Sequence, residues 1–88
     1  MIIRRIYFGK DFIRQCKRLP RTIIERAVKK EQVFRKNPLH PSLRLHQLRG
    51  AWSGYWSLSI TLQYRIIFRR MDNGDILFIS IGNHDIYD

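Results

Sequence analysis

From Tyr55 onward, hydrophobic and polar residues alternate one by one: Trp56, Leu58, Ile60 and Leu62 are apolar, while Tyr55, Ser57, Ser59 and Thr61 carry hydroxyls. A period of two predicts a strand with one face buried and one face wet. A tight reversal near Leu62 and Gln63 leads into a second strand, with Tyr64, Ile66 and Phe68 on one face and Arg65, Ile67 and Arg69 on the other. If the two apolar faces pack together, Arg65 and Arg69 share the open face with the serines. A cationic, hydroxyl-bearing sheet surface suits a phosphate-rich ligand, because guanidinium groups match phosphate oxygens in pairs. An ordinary solvated sheet face has the same pattern.

The rest of the chain follows the same logic. Ile2 to Phe8 reads as a strand of β-branched and aromatic residues, ended by Gly9. From Lys10 the spacing becomes helical: Phe12, Ile13, Cys16 and Leu19 share a stripe, with Asp11 near the positive end of the helix dipole. Pro20 cannot sit inside a regular helix, so it opens a second one, whose stripe is Ile23, Ile24, Ala27, Val28, Glu31 and Phe34. Asn37-Pro38 ends that helix. Both stripes are expected to be core. After the proline-containing loop 37–44, a short edge strand is expected over Leu45 to Arg49. Asn73-Gly74 predicts a two-residue hairpin turn. The final strand, Ile76 to Ile81, is apolar at nearly every position, which suits a central strand with the N-terminal one as a parallel neighbour. The expected fold is α+β: a strand, an antiparallel hairpin of two helices, then three or four mostly antiparallel strands in one sheet.

Eighty-eight residues make one domain, since two separate cores need more chain. No apolar run approaches the roughly 20 residues that span a bilayer, and MIIRRIYFGK lacks the apolar centre of a signal peptide, so a cytoplasmic protein is expected. Cys16 is the only cysteine, which excludes an intrachain disulfide. Net charge is +10, and it is lopsided: residues 1–50 hold fourteen Lys/Arg against three Asp/Glu, and residues 51–88 hold three against four. A first half near +11 beside a second half near −1 implies a polyanionic partner, either nucleic acid or an acidic protein segment.

Metal chemistry finds no ligand set in the sequence, because His40, His46 and His84 lie far apart and no His/Cys pair has zinc spacing. No cofactor is expected. What remains is proton transfer by histidine beside arginine. His84 follows the most apolar strand, and an imidazole, with an ordinary pKa of about 6.5, exchanges protons near neutral pH. RNA cleavage needs a base for the 2′-hydroxyl, an acid for the leaving 5′-oxygen and cations for the developing phosphorane charge. Arg65 is the candidate cation, supported by Arg69, Arg49 and Arg44; His46 is a candidate second proton-transfer group; Tyr64, Tyr87 and Trp52 are candidate base-stacking platforms.

The pieces Leu-Arg-Gly (48–50), Gly-Tyr-Trp (54–56), Tyr-Arg-Ile-Ile-Phe (64–68) and the ending GNHDIY resemble the RelE/ParE superfamily of type II toxins, most closely its RelE-like and YafQ-like branches. The resemblance covers nearly the whole chain and implies the RelE-like fold. It also implies an mRNA interferase: an endoribonuclease that cuts mRNA, in many relatives on the ribosome, without a metal. Arg65 matches an arginine that stabilises the transition state, His84 the C-terminal proton-transfer histidine, and His46 a histidine of YafQ-like toxins. A second YafQ-like histidine is Ser59 here, an acidic residue of that branch is Gln63, and the glutamate base of YoeB-like toxins has no counterpart. The implied partner is an acidic antitoxin that wraps the toxin. Within the same fold, a ParE-like gyrase poison without nuclease activity is the alternative. A non-catalytic basic RNA-binding module is a third possibility.

Overall fold

In the computed structural model, which describes residues 2–83, β1 (Ile6–Phe8) leads into α1 (Lys10–Cys16) and α2 (Arg21–Lys36). Four further strands follow, β2 (His46–Gln47), β3 (Trp56–Ser59), β4 (Tyr64–Arg70) and β5 (Ile76–Asn83), joined in part by short 3-10 turns at Pro41–Leu43 and Gly50–Trp52. All five strands form one sheet in the order β1-β5-β4-β3-β2, with β1 parallel to β5 and every other pairing antiparallel. This is the α+β arrangement expected from the alternation.

The apolar strand β5 lies inside the sheet because its residues are apolar on both faces and only an interior position buries both. On one face, Leu58, Ile66, Phe68, Phe78 and Ile81 join Phe12, Ala27 and Phe34 from the helices in a single core. Phe34 is completely buried, with ring centroids 5.1 Å from Phe68 and 6.1 Å from Phe78. Gly9 makes the turn from β1 into α1: its amide donates to the Phe78 carbonyl at 2.9 Å, and an added Cβ there would lie 3.1 Å from that oxygen. Beyond Phe78 the strand β1 has ended, and the side chain of Gln15 takes its place at the sheet edge. Its Oε1 accepts from the Ile81 amide at 2.9 Å and from the Ser80 hydroxyl at 3.0 Å.

Several boundaries depart from the sequence reading. The first strand is Ile6–Phe8 rather than Ile2 to Phe8, because its neighbour β5 begins only at Ile76, opposite Ile6. Helix α1 stops at Cys16, so Leu19 packs against the core from the inter-helix turn. The edge strand shrinks to His46–Gln47. Strand β3 ends at Ser59, and Leu62 sits in the Thr61–Gln63 reversal, 74% exposed, where the Thr61 hydroxyl accepts from the Gln63 and Tyr64 amides. The Asn-Gly turn is wider than two residues: the Met71 amide donates to the Asp75 carbonyl, and Gly74 takes φ +90, the left-handed conformation that glycine adopts without strain.

The helical stripes are not wholly core. Phe8, Ile13 and Val28 remain 45%, 47% and 48% exposed, and Phe8 and Val28 line a groove of about 230 Å³ between α1, α2 and the edge strand β1. Glu31, the polar residue of the α2 stripe, reaches this groove and is held by Arg35 at 2.6 Å. Among the described residues, no helix is long and apolar enough to cross a membrane.

Candidate functional site

Strand register decides which side chains can meet. Residues directly opposite in an antiparallel pair point to the same side, as do alternate residues along one strand. His46 pairs with Ser57, Ser57 with Ile67, and Ser59 with Arg65. Leu58 and Ile66, one residue along, belong to the helix-side core. His46, Ser57, Ser59, Arg65 and Arg69 are therefore on the sheet face turned away from the helices. His46 and Arg65 are two strands and two residues apart, about 12 Å between Cα atoms at ordinary sheet spacings.

That face is less open than the alternation suggested. Its middle row is closed: Ser57 and Ile67 have no exposed surface, and Ser80 is 7% exposed. The Ser57 hydroxyl is buried and has no hydrogen-bond partner among the described residues. Arg65 and Ser59 are half-buried, while His46 and Arg69 are exposed. A single cationic plane is thus replaced by a half-sunken arginine with an imidazole across from it.

His46 is oriented by its own chain. Arg44 has the only positive φ of a non-glycine residue among those described, +46, at the step from the Pro41–Leu43 turn into β2. The Arg44 carbonyl lies 3.1 Å from the His46 Nδ1. A carbonyl only accepts, so Nδ1 donates in this hydrogen bond, and in the neutral ring Nε2 is then the acceptor. Nothing in the sequence around Arg44 signals a left-handed residue, and the orienting carbonyl is invisible in a list of side chains.

The other candidates divide. Arg44 and Arg49 are exposed on either side of β2, and Trp52 is half-buried with its ring edge-on to Tyr55 at 5.5 Å. Tyr64 is on the helix side, half-buried against the core, because it alternates with Arg65; as a base-stacking platform beside Arg65 it faces the wrong way. Trp56, stacked on Phe68 at 6.4 Å, also packs against the core, as its place in the alternation requires. His84 and Tyr87 lie outside the described residues.

Cations dominate the surface because few carboxylates oppose them. Asp11, Glu25 and Glu31, the acidic residues of the first half, are each engaged by an arginine on the same helix: Arg14, Arg21 and Arg35. In the apolar groove on the helix side, burial pushes the Cys16 thiol above the ordinary thiol range.

No family model matches this sequence, and no curated protein matches it. Solved structures do. A YoeB/ParE toxin from Agrobacterium tumefaciens superposes with a TM-score of 0.73 at 18% identity, over 92% of this chain and 99% of that one. YafQ from E. coli strain BL21(DE3) gives 0.68 at 17%, over 94% and 96%. The toxin-antitoxin complex RelBE2 from Mycobacterium tuberculosis gives 0.67 at 22%, over 90% and 95%. The chain has the RelE/ParE toxin fold, as the sequence motifs implied. A fold carries several activities, so function has to be argued from the site.

Proposed function

We propose that this chain is the toxin of a toxin-antitoxin pair and acts as a metal-independent endoribonuclease that cuts mRNA on the ribosome. One observation carries the reading: His46, with Nε2 left as the acceptor, shares a sheet face with Arg65 at a spacing that one phosphodiester can bridge. The imidazole removes the proton of a 2′-hydroxyl, the freed oxygen attacks phosphorus, and the 5′-oxygen leaves with a proton from an acid. The Arg65 guanidinium neutralises the charge that develops on the non-bridging oxygens. The products are a 2′,3′-cyclic phosphate and a 5′-hydroxyl. His84 is the proposed acid, and Arg44, Arg49, Arg69 and Trp52 are proposed to hold the strand, with Tyr87 as a further stacking group.

The antitoxin is proposed to seat an apolar segment with acidic flanks in the groove of Phe8, Phe12, Ile24 and Val28. That groove is apolar at its floor, and the helices that frame it carry eight of the chain's seventeen Lys and Arg residues.

The test is in vitro translation with purified chain freed of its antitoxin, followed by primer extension and end-group analysis. Expected are new message ends bearing a cyclic phosphate, and a fall of about 10²- to 10⁴-fold in rate for His46→Ala or His84→Ala. Arrested growth with intact message and with DNA damage overturns the nuclease reading in favour of a gyrase poison. RNA that is bound but never cut leaves a binding module.

A further inference from the structure

The end of the sheet remote from Arg65 gathers three arginines that the function above does not use. Arg4 and Arg5 precede β1, and Arg70 closes β4. The Arg5 carbonyl accepts from the Ile76 amide at 2.9 Å, and Arg70 pairs with Ile76 across the sheet. The start of β5 thus lies between Arg5 and Arg70. All three side chains are exposed and line two adjoining open clefts that share Arg4 and Asn73. Among the described residues, neither Arg4 nor Arg70 takes part in a side-chain hydrogen bond or ion pair, whereas Arg5 donates to the Tyr7 hydroxyl at 3.5 Å.

The one carboxylate in the walls of these clefts, Asp75, answers that charge only in part, at Arg5. Asp75 is 7% exposed, and its Oδ2 accepts from the Asn73 side chain at 3.1 Å. It raises the Arg5 pKa, after the larger effect of Tyr7. Gly74, with φ +90, lets the turn pass beneath Arg70, whose guanidinium would lie 4.0 Å from a Cβ at that position. Three like charges held at one sheet end repel one another unless an anion joins them.

We infer that Arg4, Arg5 and Arg70 form a second phosphate-binding surface, which holds the backbone of an RNA strand apart from the site of cleavage. The inference rests on RNA being the ligand, as in the proposed function. Its location is separate: Arg70 and Arg65 are five residues apart along β4, about 17 Å, too far for one phosphate. The chemistry favours a nucleic-acid backbone over a protein. Alongside Ile2, Tyr7, Gly74 and Asp75, the clefts are lined by three arginines and an asparagine, groups that pair with phosphate oxygens, whereas the more apolar floor, fit for a protein segment, is found on the helix side.

The experiment measures binding of a short fluorescent single-stranded RNA with 2′-O-methyl sugars, which cannot be cleaved, over a series of salt concentrations. Replacing the three arginines by glutamine (R4Q, R5Q, R70Q) is expected to lower the slope of log affinity against log salt by about 2, at about 0.7 for each lost phosphate contact. At 0.1 M salt the same loss weakens binding by about 100-fold. The triple lysine variant (R4K, R5K, R70K) keeps the slope, and thermal melting of both variants checks the fold. An unchanged slope in the folded glutamine variant overturns the inference, whether or not the wild-type chain cuts message. A reduced slope sustains it even if no message is cut. If the glutamine variant instead loses binding to polyglutamate while its RNA slope is unchanged, the surface is a protein site and the inference falls.

Discussion

Gln15 is the residue whose removal tests the account of the sheet most directly. One oxygen of this side chain accepts from the Ile81 amide at 2.9 Å and from the Ser80 hydroxyl at 3.0 Å, at a point where β1 no longer covers the edge of β5. Gln15→Ala removes both bonds. Ile81 is 2% exposed, so its amide is poorly placed to find water as a replacement. A typical hydrogen bond contributes about 1 kcal/mol net, and a buried donor left without a partner costs about 1–3 kcal/mol. The Ser80 hydroxyl can rotate to another acceptor, so its share is the smaller. The expected loss is about 2 kcal/mol, or a fall of about 10 °C in Tm for a chain of this size. Helix α1 itself should not suffer, because alanine has a higher helix propensity than glutamine. Gln15→Glu keeps an acceptor oxygen and should recover much of the loss. Urea unfolding measures the total, and hydrogen exchange at the Ile81 amide locates it. A Gln15→Ala protein within about 0.5 kcal/mol of wild type, with no faster exchange at Ile81, refutes the edge-capping argument, since surface changes of no structural consequence fall in that range.

Two further outcomes test the helix side. Val28 is 48% exposed on the rim of the apolar groove, one helical turn from Glu31, so Val28→Glu should leave the melting temperature nearly unchanged. It should weaken binding of an acidic antitoxin at least about tenfold, from lost apolar burial and added like charge, as read by calorimetry; undiminished affinity rules out the groove as its seat. Cys16 reports on the same groove: burial disfavours its thiolate, so the pH midpoint for alkylation by iodoacetamide should lie above that of free cysteine. A midpoint at or below the free-thiol value contradicts the burial seen here.

The parts of the fold legible in the sequence are those where one period dominates a segment. The alternation from Trp56 to Ser59 and from Tyr64 to Phe68 gave both the strands and the side each residue faces, because the register keeps residues of one parity together. The apolar run from Ile76 gave an interior strand for the same reason. Strand lengths were not legible, since a strand ends where its neighbour ends: β1 is short because β5 starts at Ile76, and no property of Ile2 or Ile3 announces that. Exposure misled in both directions. Ser57 reads as a wet hydroxyl and is fully buried, whereas Val28 reads as core and lines an open groove. Of the candidate site, Arg65 and His46 could be named from residue type and resemblance, but their shared face needed the pairing of β2 with β3 and of β3 with β4. The cluster of Arg4, Arg5 and Arg70 depends on the parallel pairing of β1 with β5, which brings residues 4–5 beside the turn between β4 and β5.

The same register has a consequence for inhibition. The apolar groove belongs to the helix side of the sheet, and His46 and Arg65 belong to the other. On the proposed function, an antitoxin segment seated only in the groove would leave the cleavage face uncovered, so an inhibitor that blocks RNA has to continue around an edge of the sheet. The β1 edge is the nearer of the two, because Phe8 of β1 lines the groove while β2 lies at the far margin. A segment that takes this route from the groove passes Arg5 and Tyr7 before it reaches β4, and there it competes with RNA for the arginines at the end of the sheet. Acidic residues in that part of the partner would therefore contribute twice, by pairing with exposed cations and by excluding phosphate from them.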